Sequence, residues 1–200
     1  MTTLTLYDTA LSLNCYKVRL LLSLLGVQYE RVPVDLLKGE HKTPEFLSIN
    51  PFGQVPMLEA DGCLVRDSQA ILVWLSRKYD DGRWLPRDPD DEAEVNAWLA
   101  AAAFELRLGP YDARLAKLYP VLCVNEQLAA SRAAHALELY NRRLTNRNWL
   151  VLERPTLADV AAFPAISQSG DGDVSLEPYP AVVAWLERVR SLPGFTGLLD

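Results

Sequence analysis

An apolar fraction of 50% over 200 residues is enough for one large core or two small ones, and the formal net charge of -6 is not gathered into a basic patch, so nucleic acid is excluded as a partner. The opening MTTLTLYDTA lacks a basic stretch ahead of an apolar run, and Leu20 to Leu25 is interrupted by Ser23. No membrane contact is expected, and the chain reads as cytoplasmic. Cys15, Cys63 and Cys123 are odd in number and far apart, and only His41 and His135 could join them, which excludes a disulfide framework and a metal site.

Thr3 to Tyr7 reads as a strand, after which Val18, Leu21, Leu22 and Leu25 fall at helical spacing and Gly26 supplies a stop. Tyr29 to Val34 reads as a second strand, Pro44 to Ile49 as a short helix and Asn50-Pro51-Phe52-Gly53 as a turn. Val55 to Glu59 and Cys63 to Arg66 are joined by Asp61-Gly62, a tight-hairpin dipeptide. Asp67 can cap a helix with Ile71, Leu72, Leu75 and Tyr79 on one side. The order is βαβαββα over 1–79.

Residues 80–90 read as a polar linker, and 91–200 as an all-helical domain in which no strand is predicted. Asp90 is the expected cap of a helix bearing Val95, Trp98, Leu99, Ala102 and Leu106; a further helix is expected over Glu126 to Leu144. Thr156-Leu157-Ala158-Asp159 reads as a capping box opening a helix that Pro164 should kink or end after about two turns. The last helix should open near Pro180, carry Val182, Trp185, Leu186 and Val189 inward, and stop at Pro193-Gly194.

Three segments carry candidate chemistry. Pro56 cannot donate to a ladder; it is either an ordinary trans proline opening a strand or a cis proline whose bend turns the Val55 peptide outward to pair with a peptide ligand. Asp67 and Ser68 open a helix, either as plain caps or as a receptor for an amino-acid zwitterion, with the ligand carboxylate at the helix N-terminus and its amino group on Asp67. Near the first helix N-terminus, Ser12 and Asn14 can donate to a thiolate, and Tyr7 can reach in from its strand. Cys15 is either a nucleophile or a small buried residue.

Asn50-Pro51-x-Gly53-x-Val55-Pro56, Asp67-Ser68-Gln69-Ala70-Ile71 and Thr156-Leu157-Ala158-Asp159-Val160-Ala161, in that order, resemble the motifs of the cytosolic glutathione transferases over nearly the whole chain. The resemblance implies a thioredoxin-like α/β domain with a cis proline, an all-α helical-bundle domain, a homodimer, and glutathione as co-substrate with no other cofactor. By position Ser12 resembles the activating serine of the delta, theta and zeta types, while Asn14-x-x-Lys17 is similar to bacterial nu-type members. The family pattern puts glutathione along Val55, Pro56, Asp67 and Ser68, with Lys42 and Gln54, rather than His41, at its glycyl carboxylate. The implied partner is a small apolar electrophile, for which Phe104, Leu108 and Tyr111 are candidate lining beside Trp98 and Ala102. The clear beta-type cysteine pattern is missing, and Ser169-Gly170-Asp171-Gly172-Asp173 stands where a simple loop is expected. Glutathione-dependent thiol–disulfide exchange or deglutathionylation, and a non-catalytic interaction protein, are the competing functions.

Overall fold

The computed structural model describes residues 4–200, so the expected strand residue Thr3 lies outside them. The chain forms two compact units, one reaching to Asp81 and including Pro193–Asp200, the other spanning Gly82–Leu192. The first unit holds β1 (Leu4–Asp8), α1 (Leu13–Leu25), β2 (Glu30–Pro33), α2 (Pro44–Ile49), β3 (Met57–Ala60), β4 (Cys63–Arg66) and α3 (Ser68–Tyr79). Its sheet runs β2-β1-β3-β4, with β2 parallel to β1 and the other neighbours antiparallel. This is the βαβαββα order expected from the hydrophobic pattern and the thioredoxin-like fold that the resemblance implies, with β2 one residue shorter at each end and β3 starting two residues later and ending one later than expected.

Local chemistry explains these boundaries. Gly26 ends α1 in the left-handed region at φ 66°, its N–H donating to the carbonyls of Leu22 and Ser23. Asp61 and Gly62 both have positive φ, 49° and 78°, as the two-residue turn between β3 and β4 requires. Leu4, Leu6 and Asp8 are buried on one face of β1. Tyr7 points to the other face, against Phe46 of α2 with ring centroids 6.3 Å apart. Helices α1 and α3 pack on each other, burying Val18, Leu21 and Leu22 of one and Ile71, Leu72 and Leu75 of the other.

The register places the chemistry. Tyr7 pairs with Met57 and Met57 with Arg66, so the end of β1, the start of β3 and the end of β4 share one edge. Both α1 and α3 therefore begin at that edge, and the Asn50 to Pro56 segment enters β3 there.

The second unit comprises α4 (Pro89–Leu106), a wide π turn over Arg107–Tyr111, α5 (Asp112–Leu118), α6 (Glu126–Leu144), α7 (Leu157–Ser167) and α8 (Pro180–Arg190). Four features differ from expectation. Asp88, not Asp90, caps α4: its Oδ1 accepts from the N–H groups of Asp90 and Asp91 at 3.0 and 3.1 Å, with Pro89 at the first helical position. Residues 80–90 are not a free linker, because Trp84 and Leu85 are buried and the Trp84 carbonyl accepts from Leu157 N at 2.8 Å.

Of the two expectations for Pro164, a kink or an end, the end is not realised: α7 continues past it to Ser167. Every residue from Leu157 to Ile166 is buried; several fully buried apolar side chains, each contributing roughly 1.5–3 kcal/mol, outweigh the ~3 kcal/mol that an interior proline costs. The last eight residues belong to the first unit: Tyr16 Oη donates to Thr196 O at 2.8 Å, Arg19 Nη2 to Leu198 O at 2.7 Å and Ser23 Oγ to Gly194 O at 2.7 Å.

The unexpected glycine-rich stretch also has a packing reason. A Cβ on Gly172 would lie 2.5 Å from Arg114 N, so glycine permits the close approach of this turn to α5, where Arg114 Nε pairs with Asp171 at 2.8 Å.

Candidate functional site

Three backbone devices meet at the shared edge of the sheet. The first is the N-terminus of α1. Ser12 is its cap, with Oγ accepting from Cys15 N at 3.3 Å, so its hydroxyl proton remains able to donate. Asn14 is half-buried in the first turn, and its side chain makes no hydrogen bond with the described residues. The loop before α1 is held by Asp8, fully buried at the end of β1. Arg19 Nη1 donates to both its oxygens at 2.7 and 3.0 Å, and Arg31 Nε completes the cluster. Arg19 Nη2 also donates to Ala10 O at 2.9 Å.

The second device is the bend into β3. The Val55–Pro56 bond is cis, and the Val55 peptide groups make no hydrogen bond with the described residues. Buried Asn50 shapes the approach: Nδ2 donates to Gln54 O at 2.8 Å and Oδ1 accepts from Phe52 N at 3.2 Å. Gly53 sits at φ 56°, where a Cβ would lie 2.8 Å from both His41 O and Lys42 Nζ, so this crossing excludes a side chain. Lys42 Nζ donates to Gly53 O at 2.8 Å, which brings Lys42 beside Gln54 with two ammonium protons to spare. His41 is half-buried, with Nδ1 unpartnered; burial, then the charge of Lys42, pushes its pKa down.

The third is the N-terminus of α3. Asp67 is exposed at φ 74°, and its Oδ1 accepts from the N–H groups of Gln69 and Ala70 at 2.8 and 3.1 Å. The next N–H group, of Ile71, donates to Asp67 O. Ser68 alone in this turn pairs neither N–H nor hydroxyl with a described residue, although it is only 5% exposed. An open N–H beside an open hydroxyl at the positive end of a 12-residue helix is suited to a carboxylate.

Two weaker thiol-activating candidates fare differently. Tyr7 Oη is engaged, donating to Glu59 Oε2 at 3.2 Å, and burial, then Glu59, raises its pKa. Cys15 is wholly buried, and burial, followed by the charge of Asp8, pushes its thiol up to about 12. A nucleophilic cysteine needs the opposite shift, so its expected alternative as a small buried residue is the one realised.

In the helical unit, Phe104 is 62% exposed, while Leu108 and Tyr111 are half-buried. Trp98 and Ala102 face inward: Trp98 stacks edge-on against Tyr140 at 4.9 Å and Nε1 donates to Glu94 at 3.2 Å, and Ala102 is 5% exposed. Among the described residues no cluster of three His, Cys, Asp or Glu side chains is placed to hold a metal, and no helix is long and apolar enough to cross a membrane.

The positioning residues Asp8 and Arg66 were missed from sequence, and Asn50 was read only as the start of its turn. Arg66 clamps the end of α2 by donating from Nε and Nη2 to Ile49 O at 2.8 and 2.5 Å. Two cations inside the apolar run Tyr16-Lys17-Val18-Arg19-Leu20 are the available signal that α1 buries charge.

Two domain models match the chain: Glutathione S-transferase, N-terminal domain, over residues 2–77, and Glutathione S-transferase, C-terminal domain, over residues 124–193. Glutathione S-transferase 3 of Zea mays is 32% identical, over 98% of this chain and 92% of its own length. Maleylacetoacetate isomerase of Rhizobium meliloti is also 32% identical, over 95% and 92%. A solved glutathione S-transferase from Pseudomonas fluorescens superposes with a TM-score of 0.92 at 32% identity, covering 98% of this chain and 99% of that one. The chain belongs to the glutathione S-transferase family.

Proposed function

We propose that the first unit binds glutathione in an extended form and that the protein is a glutathione transferase, activating the glutathione thiol for attack on a small apolar electrophile. The observation carrying this reading is the pair of open backbone devices at one edge of the sheet: the Val55 peptide and the Ser68 N–H and hydroxyl, none of which pairs with a described residue. The first can pair with the ligand backbone as an added strand. The second can hold the γ-glutamyl carboxylate, with Asp67 receiving the neighbouring ammonium. Lys42 and Gln54 are assigned to the glycyl carboxylate.

Glutathione then supplies the reacting sulfur, and no further cofactor is invoked. Ser12, with Asn14 beside it, donates to the thiolate, and the N-terminal dipole of α1 favours the same charge. Phe104, Leu108 and Tyr111 are assigned to electrophile contact, and a homodimer in the cytoplasm is the expected state. The buried Cys15 disfavours a disulfide-exchange mechanism run on that protein thiol; an aromatic disulfide reagent added to native protein should report Cys63 and Cys123, both exposed, and not Cys15.

Calorimetric titration with glutathione at pH 7 tests the reading. Saturable binding, weakened roughly tenfold in Ser68→Ala, is expected for a charged hydrogen bond. Thiolate absorbance of bound glutathione should titrate at higher pH in Ser12→Ala. No binding by folded wild-type protein rejects the proposal, and an unchanged thiol titration rejects the role of Ser12.

A further inference from the structure

Helix α1 buries two cations two residues apart, and the molecule treats them in opposite ways. Arg19, 3% exposed, is satisfied by both oxygens of Asp8 and by the carbonyls of Ala10 and Leu198. Lys17, 5% exposed, makes no hydrogen bond and no ion pair with any described residue. A charged ammonium on a side chain this buried is costly even with an acid nearby, and a methionine would fill the same volume without that cost.

The position of Lys17 points to what completes it. Both α1 and α3 start at the same edge of the sheet, as the register of Tyr7, Met57 and Arg66 requires, and the two helices pack on each other. Lys17 lies one turn into α1. Asp67, the cap of α3, is the acid whose charge acts on it, yet the Asp67 carboxylate already caps Gln69 and Ala70 through Oδ1. The first turn of α3, which Asp67 caps, is also the one where Ser68 pairs neither N–H nor hydroxyl with a described residue. A buried cation without a partner and a helix N-terminus without a cap bond at one residue share one deficit, a negative charge.

We propose that Lys17 is the charged group that selects a carboxylate at the N-terminus of α3, so that an anionic γ-glutamyl end is favoured there over a neutral amide of the same shape. This rests on the glutathione reading given above and deepens it, because Ser68 alone offers neutral donors that an amide oxygen can also accept. Burial holds the Lys17 pKa down to about 8, with Asp67 opposing the shift; an incoming carboxylate supplies more of the same opposition.

The test compares two ligands in four proteins. Wild type, Lys17→Met, Lys17→Gln and Lys17→Arg are titrated calorimetrically with glutathione and with its γ-glutamyl α-carboxamide, after circular dichroism has shown each to be folded. Wild type should prefer the acid, and Lys17→Met and Lys17→Gln should lose roughly tenfold or more of that preference while binding the amide nearly as wild type does. Lys17→Arg should retain the preference within about threefold, since the charge is kept. A merely structural role would weaken both ligands together and leave the ratio unchanged. An unchanged ratio in the neutral variants, with glutathione still bound, overturns the role of Lys17 and leaves the glutathione reading intact. Failure of folded wild type to bind glutathione removes both.

Discussion

The N-termini of α3 and α7 both pair an acidic residue with a hydroxyl, Asp67 with the adjacent Ser68 and Asp159 with Thr156 three residues before it, and finish the pair in opposite ways. At α7 the Asp159 carboxylate is 1% exposed and accepts from Thr156 N at 2.9 Å, Thr156 Oγ1 at 3.2 Å, Leu150 N at 3.1 Å and Trp185 Nε1 at 2.9 Å. Four donors from three parts of the second unit converge on this one carboxylate. At α3 the Asp67 carboxylate stays exposed, caps two N–H groups through one oxygen, and leaves Ser68 open. A closed helix N-terminus stores stability, whereas an open one retains the field and donors of the helix for something that arrives later.

The largest loss of stability is expected at the closed end. Asp159→Ala would leave the Leu150 and Thr156 amides and the Trp185 indole without their buried acceptor. With about 1–3 kcal/mol for each buried donor left unpaired and some relaxation, a loss of about 4 kcal/mol is expected in urea unfolding. A loss under about 1 kcal/mol would show that water or a shifted loop satisfies these donors, and would remove the contrast with α3.

This closed end was legible in the sequence because capping is local: Thr156 and Asp159 are three residues apart. The same holds for Gly26, the Asp61-Gly62 turn and the bounds of α2 and α6. What escaped depends on pairings distant along the chain. Asp8 gains its meaning only when Arg19 and Arg31 converge on it, and the tail joins the first unit through carbonyls that any sequence would carry. Local rules misplaced the cap of α4, where Asp88 and Asp90 are both acceptable until Pro89 settles the first turn. They also overrated Pro164, since a local helix breaker says nothing of the burial that surrounds it. At the candidate site the motifs were readable, but that Ser68, the Val55 peptide and the Lys17 ammonium make no hydrogen bond with a described residue is a property of the folded surroundings.

The next largest effect is expected at Lys17. Its ordinary pKa of 10.5 falls to about 8 on folding, chiefly by burial. Between those values the unfolded chain holds a proton that the folded chain releases, so stability contributed through Lys17 rises with pH across that window. Below it, the folded protein carries the cost of a buried charge, reduced by the charge of Asp67. Lys17→Met should therefore raise stability at pH 7, on the order of 2 kcal/mol. Thermal unfolding from pH 7 to 10.5 should show the gain shrinking as wild type deprotonates. A destabilised Lys17→Met at pH 7 would mean that Asp67 already compensates the charge in the free protein.

The smallest stability effect is expected at the open end itself. Asp67 adopts φ 74°, a conformation that glycine takes without the steric cost a Cβ imposes, and replacing an aspartate N-cap by glycine costs only a few tenths of a kcal/mol. The two terms oppose each other, so Asp67→Gly should change unfolding stability by no more than about 0.5 kcal/mol. Its glutathione affinity should nevertheless fall roughly tenfold, because the partner proposed for the ligand ammonium is gone. Paired urea-unfolding and calorimetric titrations separate the two quantities. A variant that binds as wild type does while losing about 2 kcal/mol of stability would make Asp67 a structural cap like Asp159. The reverse, affinity lost with stability kept, is what distinguishes a helix N-terminus left open for a ligand from one the fold has closed.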